Sequence, residues 1–110
     1  MEMLENKIFM KTNGKRMTKV SRQAAQPVRI EFDAPAAADV AIAGTFNDWR
    51  PDVTKMIPVG CGRWFKTLVL PPGTYEYLFV ADGKWLRDPS AKGAVPNPFG
   101  GVNSVLTVAN

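Results

Sequence analysis

The chain has 110 residues, of which 45% are apolar and 22% charged, a composition that predicts one compact domain rather than a disordered chain. It contains one cysteine and no histidine. This excludes an intrachain disulfide, an imidazole or multi-cysteine metal site, and catalysis by a Ser–His or Cys–His pair. The net charge of +4 arises in residues 1–26, which carry six basic and two acidic side chains, whereas the charges of residues 27–110 cancel.

Residues 1–26 show no sustained hydrophobic period, and the Asn13-Gly14 pair interrupts their short apolar stretch. We predict a basic, mobile N-terminal extension that adds only weak, salt-sensitive attraction to nucleic acid, so no nucleic-acid partner is expected. No stretch approaches the roughly 20 apolar residues that cross a bilayer, and no apolar leader follows the N-terminus. We therefore expect a cytoplasmic protein without a membrane partner.

From Pro27 onward, short alternating runs separated by turn residues predict an all-β domain over residues 27–110. In chain order, the predicted strands are 28–33, 39–46, 56–59, 64–70, 74–81, 84–87 and 102–108. Between the fifth and sixth strands, Asp82-Gly83 predicts a type I′ hairpin turn. Residues 88–101, rich in Pro, Gly and Asn, predict a long loop. About seven strands with hairpin connections predict an antiparallel β-sandwich of immunoglobulin-like size.

The carboxylates give little support for catalysis. The aspartates of the predicted turns are Asp48, Asp52, Asp82 and Asp88, and an Asp in a turn usually hydrogen-bonds its own backbone. A small sandwich also has little room for two carboxylates facing each other across a cleft. No glycine-rich phosphate loop, calcium loop or zinc-ligand spacing is present. We therefore expect neither an enzyme nor a bound cofactor or metal.

Two tryptophans occupy positions where the chain is expected to be exposed. Trp49 lies in a polar loop, and Trp85 directly follows a tight turn. An aromatic face stacks well on the C–H groups of a sugar ring, whose hydroxyls need amide partners at the rim. The candidate amides are those of Asn47, Asn97 and Asn103. The alternative, which the local pattern leaves open, is that each ring packs flat on its own domain.

Two further apolar residues can be assigned to a face of their strands. Trp64 begins a strand beside Phe65, and we predict that it lies in the core. Leu78 alternates with Tyr77 and Phe79, so it points outward, near Trp85, if those aromatic rings face the core.

Several stretches together form a combination known from one family. They are VAIAGTFNDW at 40–49, GRW at 62–64, LPPGTYEYLFVADGKW at 70–85, DP at 88–89 and NPFGGVNSVL at 97–106. They resemble carbohydrate-binding module family 48, which includes the glycogen-binding domain of the AMP-activated protein kinase β subunit and the early-set domains of isoamylases and branching enzymes. The resemblance covers about 28–108. It implies an immunoglobulin-like early-set sandwich that binds α-1,4-glucan.

The resemblance also implies roles for individual residues. It makes Trp49 and Trp85 the rings that stack on glucose, and Asn103 the amide that hydrogen-bonds the glucan. Phe99 stands where the family has a loop leucine that reaches into the glucan curve. Leu78 replaces the family's sugar-contacting lysine, which removes a charged donor and makes the polar contacts fewer.

We therefore expect non-catalytic binding of glycogen, starch or maltooligosaccharide on an open groove. The alternative is an interaction or scaffold module of the same fold that has lost sugar binding and docks a partner, such as a glucan-active enzyme or a kinase-type protein. The two hypotheses differ in one observable, because only stacking of sugar on Trp49 and Trp85 changes tryptophan fluorescence when maltoheptaose is added.

Overall fold

The structure, a computed structural model, describes residues 24–110. Residues 1–23, and with them most of the predicted N-terminal extension, lie outside the described residues. The strands are β1 (Gln26–Asp33), β2 (Val40–Gly44), β3 (Ile57–Gly60), β4 (Arg63–Leu70), β5 (Gly73–Ala81), β6 (Lys84–Leu86), β7 (Gly93–Pro96) and β8 (Val102–Val108). One turn of 3-10 helix spans Pro51–Val53. Within residues 24–110, no helix has the length and apolar character needed to cross a membrane.

The strands of the described residues form two antiparallel sheets. One has the order β1-β4-β3, and the other has the order β2-β5-β8-β7 with β6 also paired to β5. Along one edge of β5, β8 pairs with residues 73–77 and β6 with residues 79–81, while β2 pairs along the other edge. The predicted all-β, immunoglobulin-like sandwich is confirmed.

The predicted strands lie within two residues of the observed ones, but the prediction of a continuous loop over 88–101 is wrong. That segment contains β7, which among the described residues pairs with β8 alone and brings the number of strands in residues 24–110 to eight. Glycine and proline are poor strand formers, so local propensity does not indicate β7. Pro96 is tolerated because β7 lies at the edge of its sheet.

The core lies between the sheets and depends on the alternation of side chains along β5. Tyr77 and Phe79 point inward, and Phe79 stacks on Phe32 of β1 with ring centroids 4.1 Å apart. Trp64 is only 7% exposed, and its indole N–H donates to the carbonyl oxygen of Ala34 at 3.2 Å. The prediction that Trp64 is a core residue is therefore confirmed.

A buried polar pair ties the segment after β6 to the core. Asp88, predicted to lie in a turn, is 6% exposed, and its carboxylate accepts the Tyr77 hydroxyl at 2.5 Å and the Ser90 N–H at 2.8 Å. Burial raises the pKa of Tyr77, and the hydrogen bond to Asp88 raises it further. The contribution of this pair to stability is therefore present below about pH 10, the unfolded pKa of tyrosine, and is lost at more alkaline pH.

Replacing Trp64 by alanine should destabilise the domain by about 3–5 kcal/mol, because it removes a large core side chain and leaves a cavity. Val69, on the same strand but 64% exposed, gives the control: Val69→Ala should cost less than about 1 kcal/mol. Urea unfolding monitored by circular dichroism measures both. Equal losses of stability in the two variants would show that Trp64 is not a core residue.

Candidate functional site

The Asp82-Gly83 turn determines where Trp85 lies. Both turn residues have positive φ, 49° and 83°, as the predicted type I′ turn requires. The Asp82 carboxylate accepts the backbone N–H of Asp39 at 2.9 Å, which holds the turn against the segment that leads into β2. Trp85 follows on β6, opposite Val80 of β5, and is 48% exposed. The turn thus presents this ring on the outer face of the five-stranded sheet.

The loop that carries Trp49 has an uncommon backbone conformation. Asp48 and Trp49 have φ of 57° and 58°, in the left-handed region that non-glycine residues seldom occupy. The backbone N–H of Trp49 donates to the carbonyl oxygen of Gly44 at 2.9 Å. Surrounding hydrogen bonds must maintain such a conformation, and the side chain of Asn47 supplies four of them.

The Asn47 side chain joins four parts of this loop. Its oxygen accepts the N–H groups of Gly44 (3.0 Å) and Arg50 (3.3 Å), and its amide donates to the carbonyl of Ile42 (3.0 Å) and the hydroxyl of Thr54 (2.9 Å). All four hydrogen-bonding positions of the amide are thus filled. The expectation that Asn47 offers its amide to a sugar is therefore wrong, because the loop itself uses that amide.

Gly44 lets the same loop lie directly on β5. A Cβ atom at this position would come within 2.5 Å of the Glu76 carbonyl oxygen and 2.8 Å of the Tyr77 Cβ. Next to it, the Thr45 N–H donates to the same Glu76 oxygen at 2.9 Å. The Trp49 loop is therefore fixed to the central strand of the sheet.

A second loop, residues 97–101, is shaped by Asn97. The Asn97 side-chain oxygen accepts the backbone N–H groups of Phe99 (2.9 Å) and Gly101 (3.0 Å). The backbone N–H of Asn97 donates to the Gly101 carbonyl oxygen at 2.9 Å. Phe99 is 94% exposed at the tip of this loop. An apolar ring is thus held in solvent by a hydrogen-bonded turn.

These elements surround a groove of about 590 Å³. It is lined by Trp49, Leu78, Trp85, Asn97, Pro98, Phe99 and Asn103. The structure thus brings together all five site residues that the family resemblance indicated, and adds Asn97 and Pro98. The sequence indicated Asn97 as a candidate amide. Pro98 could have been found only because it is the neighbour of Phe99 in the sequence. We call this surface the aromatic groove.

The aromatic groove is apolar along most of its length and polar where the two asparagines lie. Leu78, half-buried on the outer face of β5, lines the groove together with the aromatic residues and Asn103. Among the described residues that line the groove, none carries a charge. The groove therefore suits a ligand with an apolar face and neutral hydrogen-bonding groups.

A larger cleft of about 770 Å³ lies at the other end of β8, beside β1. Two of its polar pairs are formed within the chain: Tyr77 donates to Asp88, and the Arg29 guanidinium lies 2.6 Å from the Glu31 carboxylate. Among the described residues, this cleft lacks the exposed aromatic rings on which a ligand could stack, so the smaller aromatic groove is the better candidate site.

Comparisons with known proteins identify the family. Residues 26–110 match the family described as the glycogen recognition site of AMP-activated protein kinase. The chain is 32% identical over 87 residues to the 5'-AMP-activated protein kinase subunit beta-2 of Mus musculus, covering 78% of this chain and 30% of that subunit. It is 37% identical over 54 residues to Protein PTST homolog 2, chloroplastic, of Arabidopsis thaliana, covering 49% of this chain and 10% of that protein.

Among solved structures, a maltogenic amylase from S. marinus superimposes with a TM-score of 0.62 at 22% identity, covering 76% of this chain and 14% of the amylase. That likeness supports the early-set fold. The chain belongs to the glycogen-recognition family, and it spans about 30% of the length of the kinase subunit beta-2 that it matches.

Asn47→Ala should destabilise the domain by about 2–4 kcal/mol, because it removes four hydrogen bonds that maintain a strained loop. Asp52, whose exposed carboxylate lies 3.7 Å from the Arg50 guanidinium, gives the control: Asp52→Ala should change stability by less than about 0.5 kcal/mol. Urea midpoints test both. A near-neutral Asn47→Ala would mean that other contacts maintain the loop.

Proposed function

We propose that this domain is a non-catalytic module that binds α-1,4-glucan, such as glycogen, starch or maltooligosaccharide, in the aromatic groove. One observation carries the proposal: in a member of a glycogen-recognition family, two accessible tryptophans and an exposed phenylalanine line a single uncharged groove. A cytoplasmic location remains a prediction.

Stacking supplies most of the proposed binding energy. Each glucose ring presents C–H groups on its faces, and the indole rings of Trp49 and Trp85 offer π faces that attract them. Leu78 and Phe99 extend this apolar surface. Covering one such ring contributes about 1–3 kcal/mol. Two rings therefore support weak binding of a short oligosaccharide.

Hydrogen bonds to the glucose hydroxyls orient the glucan in the groove. The glucose hydroxyls need donors and acceptors, and Asn97 and Asn103 provide both at the polar part of the groove. Because Leu78 offers no donor, the polar contribution is small. Binding to a polymer, which presents many chains at once, should therefore be easier to detect than binding to one oligosaccharide.

The relatives suggest the setting in which the module acts. Those that it matches include a kinase subunit, and one of its structural neighbours is an amylase, both much longer than this chain. We infer that the groove brings a kinase-type or glucan-active partner to glucan. A domain that has lost sugar binding would instead use the exposed aromatic residues to dock that partner directly.

Trp49→Ala and Trp85→Ala should each weaken glycogen binding about 5- to 150-fold, the equivalent of about 1–3 kcal/mol, while the urea midpoint changes little. Val59→Ala is the control, because Val59 is 49% exposed and lies on β3, away from the groove. Co-sedimentation with glycogen measures the effect. Unchanged binding in both variants refutes the groove as the site, and unfolding of either shows that its ring is part of the core.

Leu78→Lys should raise affinity for maltoheptaose several-fold, because a charged donor to a hydroxyl oxygen contributes about 1.5–3 kcal/mol at best and less at a half-exposed position. Leu78→Met, similar in length but without charge, should leave affinity unchanged. Isothermal titration calorimetry compares them. If wild-type protein and Leu78→Lys are both folded and neither binds maltoheptaose or glycogen, the groove is instead a protein-docking surface.

A further inference from the structure

We infer that Glu76 is a positioning residue of the aromatic groove, acting through Asn103 to fix which side of the Asn103 amide meets the ligand. The inference rests on the proposed glucan binding. Glu76 lies on the outer face of β5, two residues before Leu78, and does not belong to the residues that line the groove. Its action on a ligand must therefore pass through another side chain.

Asn103 is 7% exposed and lies between two polar neighbours. Its amide nitrogen donates to a Glu76 carboxylate oxygen at 3.1 Å. Its oxygen accepts from the amide nitrogen of Asn97 at 3.2 Å. Both ends of the Asn103 amide are thus engaged by residues from other elements.

The chemistry of the two neighbours permits one orientation of this amide. A carboxylate only accepts, so Glu76 requires the nitrogen of Asn103. The oxygen of Asn97 is already occupied by two backbone N–H groups of its loop, so Asn97 presents its nitrogen and requires the oxygen of Asn103. A rotated Asn103 amide would place oxygen against carboxylate and nitrogen against nitrogen, losing both hydrogen bonds.

The fixed amide retains capacity for a ligand. Among the described residues, one N–H and one oxygen lone pair of Asn103 have no partner. A sugar hydroxyl both donates and accepts, so two neighbouring hydroxyls match this pair. Fixing the amide before binding removes an ordering cost that a freely rotating amide would incur when the ligand binds. Glu76 thereby raises affinity without touching the glucan.

The test compares Glu76→Gln in two backgrounds. A glutamine of the same shape can donate as well as accept and carries no charge, so position 76 no longer selects the orientation of the Asn103 amide and only the weaker constraint from Asn97 remains. Glu76→Gln should weaken maltoheptaose binding about three- to tenfold. In an Asn103→Ala background the same substitution should have no further effect, because the group through which Glu76 acts is absent. Glu31→Gln, which removes an exposed carboxylate on β1, should leave affinity unchanged.

Two additional measurements make the outcome decisive. Asn97→Asp keeps the acceptor for the loop N–H groups but removes the donor to Asn103, so it should also weaken binding. Urea midpoints confirm that each variant is folded. Wild-type-like affinity of Glu76→Gln, or an equal loss with and without Asn103, overturns the inference alone. Absence of binding by the wild-type protein, to maltoheptaose and to glycogen, overturns the proposed function and the inference together.

Discussion

The site depends on the burial of one face of β5. Phe79 is fully buried and stacks on Phe32, and Tyr77 is buried beside it and donates to Asp88. Because side chains alternate along a strand, this places Glu76 and Leu78 on the outer face. A shift of register by one residue would exchange the two faces and lose both the core and the groove. Core packing and site geometry therefore have a common origin.

The loop that carries Trp49 is held in direct contact with β5. Gly44 allows the Trp49 loop to contact β5, and Asn47 satisfies the polar groups of that loop. Along the other edge of β5, β8 pairs with residues 73–77 and β6 with residues 79–81. Trp85 on β6 and Asn103 on β8 therefore lie along the same edge of β5. Ordering these loops within the folded domain means that a ligand does not have to order them, which favours binding by a shallow surface.

Much of the fold is predictable because its signals are local. Alternation predicts most of the strands, and Asp82-Gly83 predicts the hairpin turn that presents Trp85. β7 was missed because pairing with β8, a contact between segments, outweighs the weak strand propensity of its glycine and proline. The burial of Asp88 was missed for a related reason, since its partner Tyr77 is eleven residues away.

The site could be predicted in part. The exposure of two tryptophans in turns is a local signal, whereas their meeting with Phe99 and Asn103 in one groove follows from sheet pairing and was indicated only by family resemblance. The roles of Asn47 and Glu76 depend on which groups surround each side chain. An amide that stabilises a loop and an amide that faces a ligand look alike in sequence.

Stacking of glucan on Trp49 and Trp85 can be tested through the indole N–H resonances of the three tryptophans in the sequence. Nuclear magnetic resonance spectra recorded during titration with maltoheptaose should show saturable shifts of the Trp49 and Trp85 signals. The chemical shift of the Trp64 signal should not change, because that ring lies in the core and its indole N–H donates a hydrogen bond to the Ala34 carbonyl oxygen. Unchanged Trp49 and Trp85 signals at high maltoheptaose concentration would show that glucan does not stack on these rings.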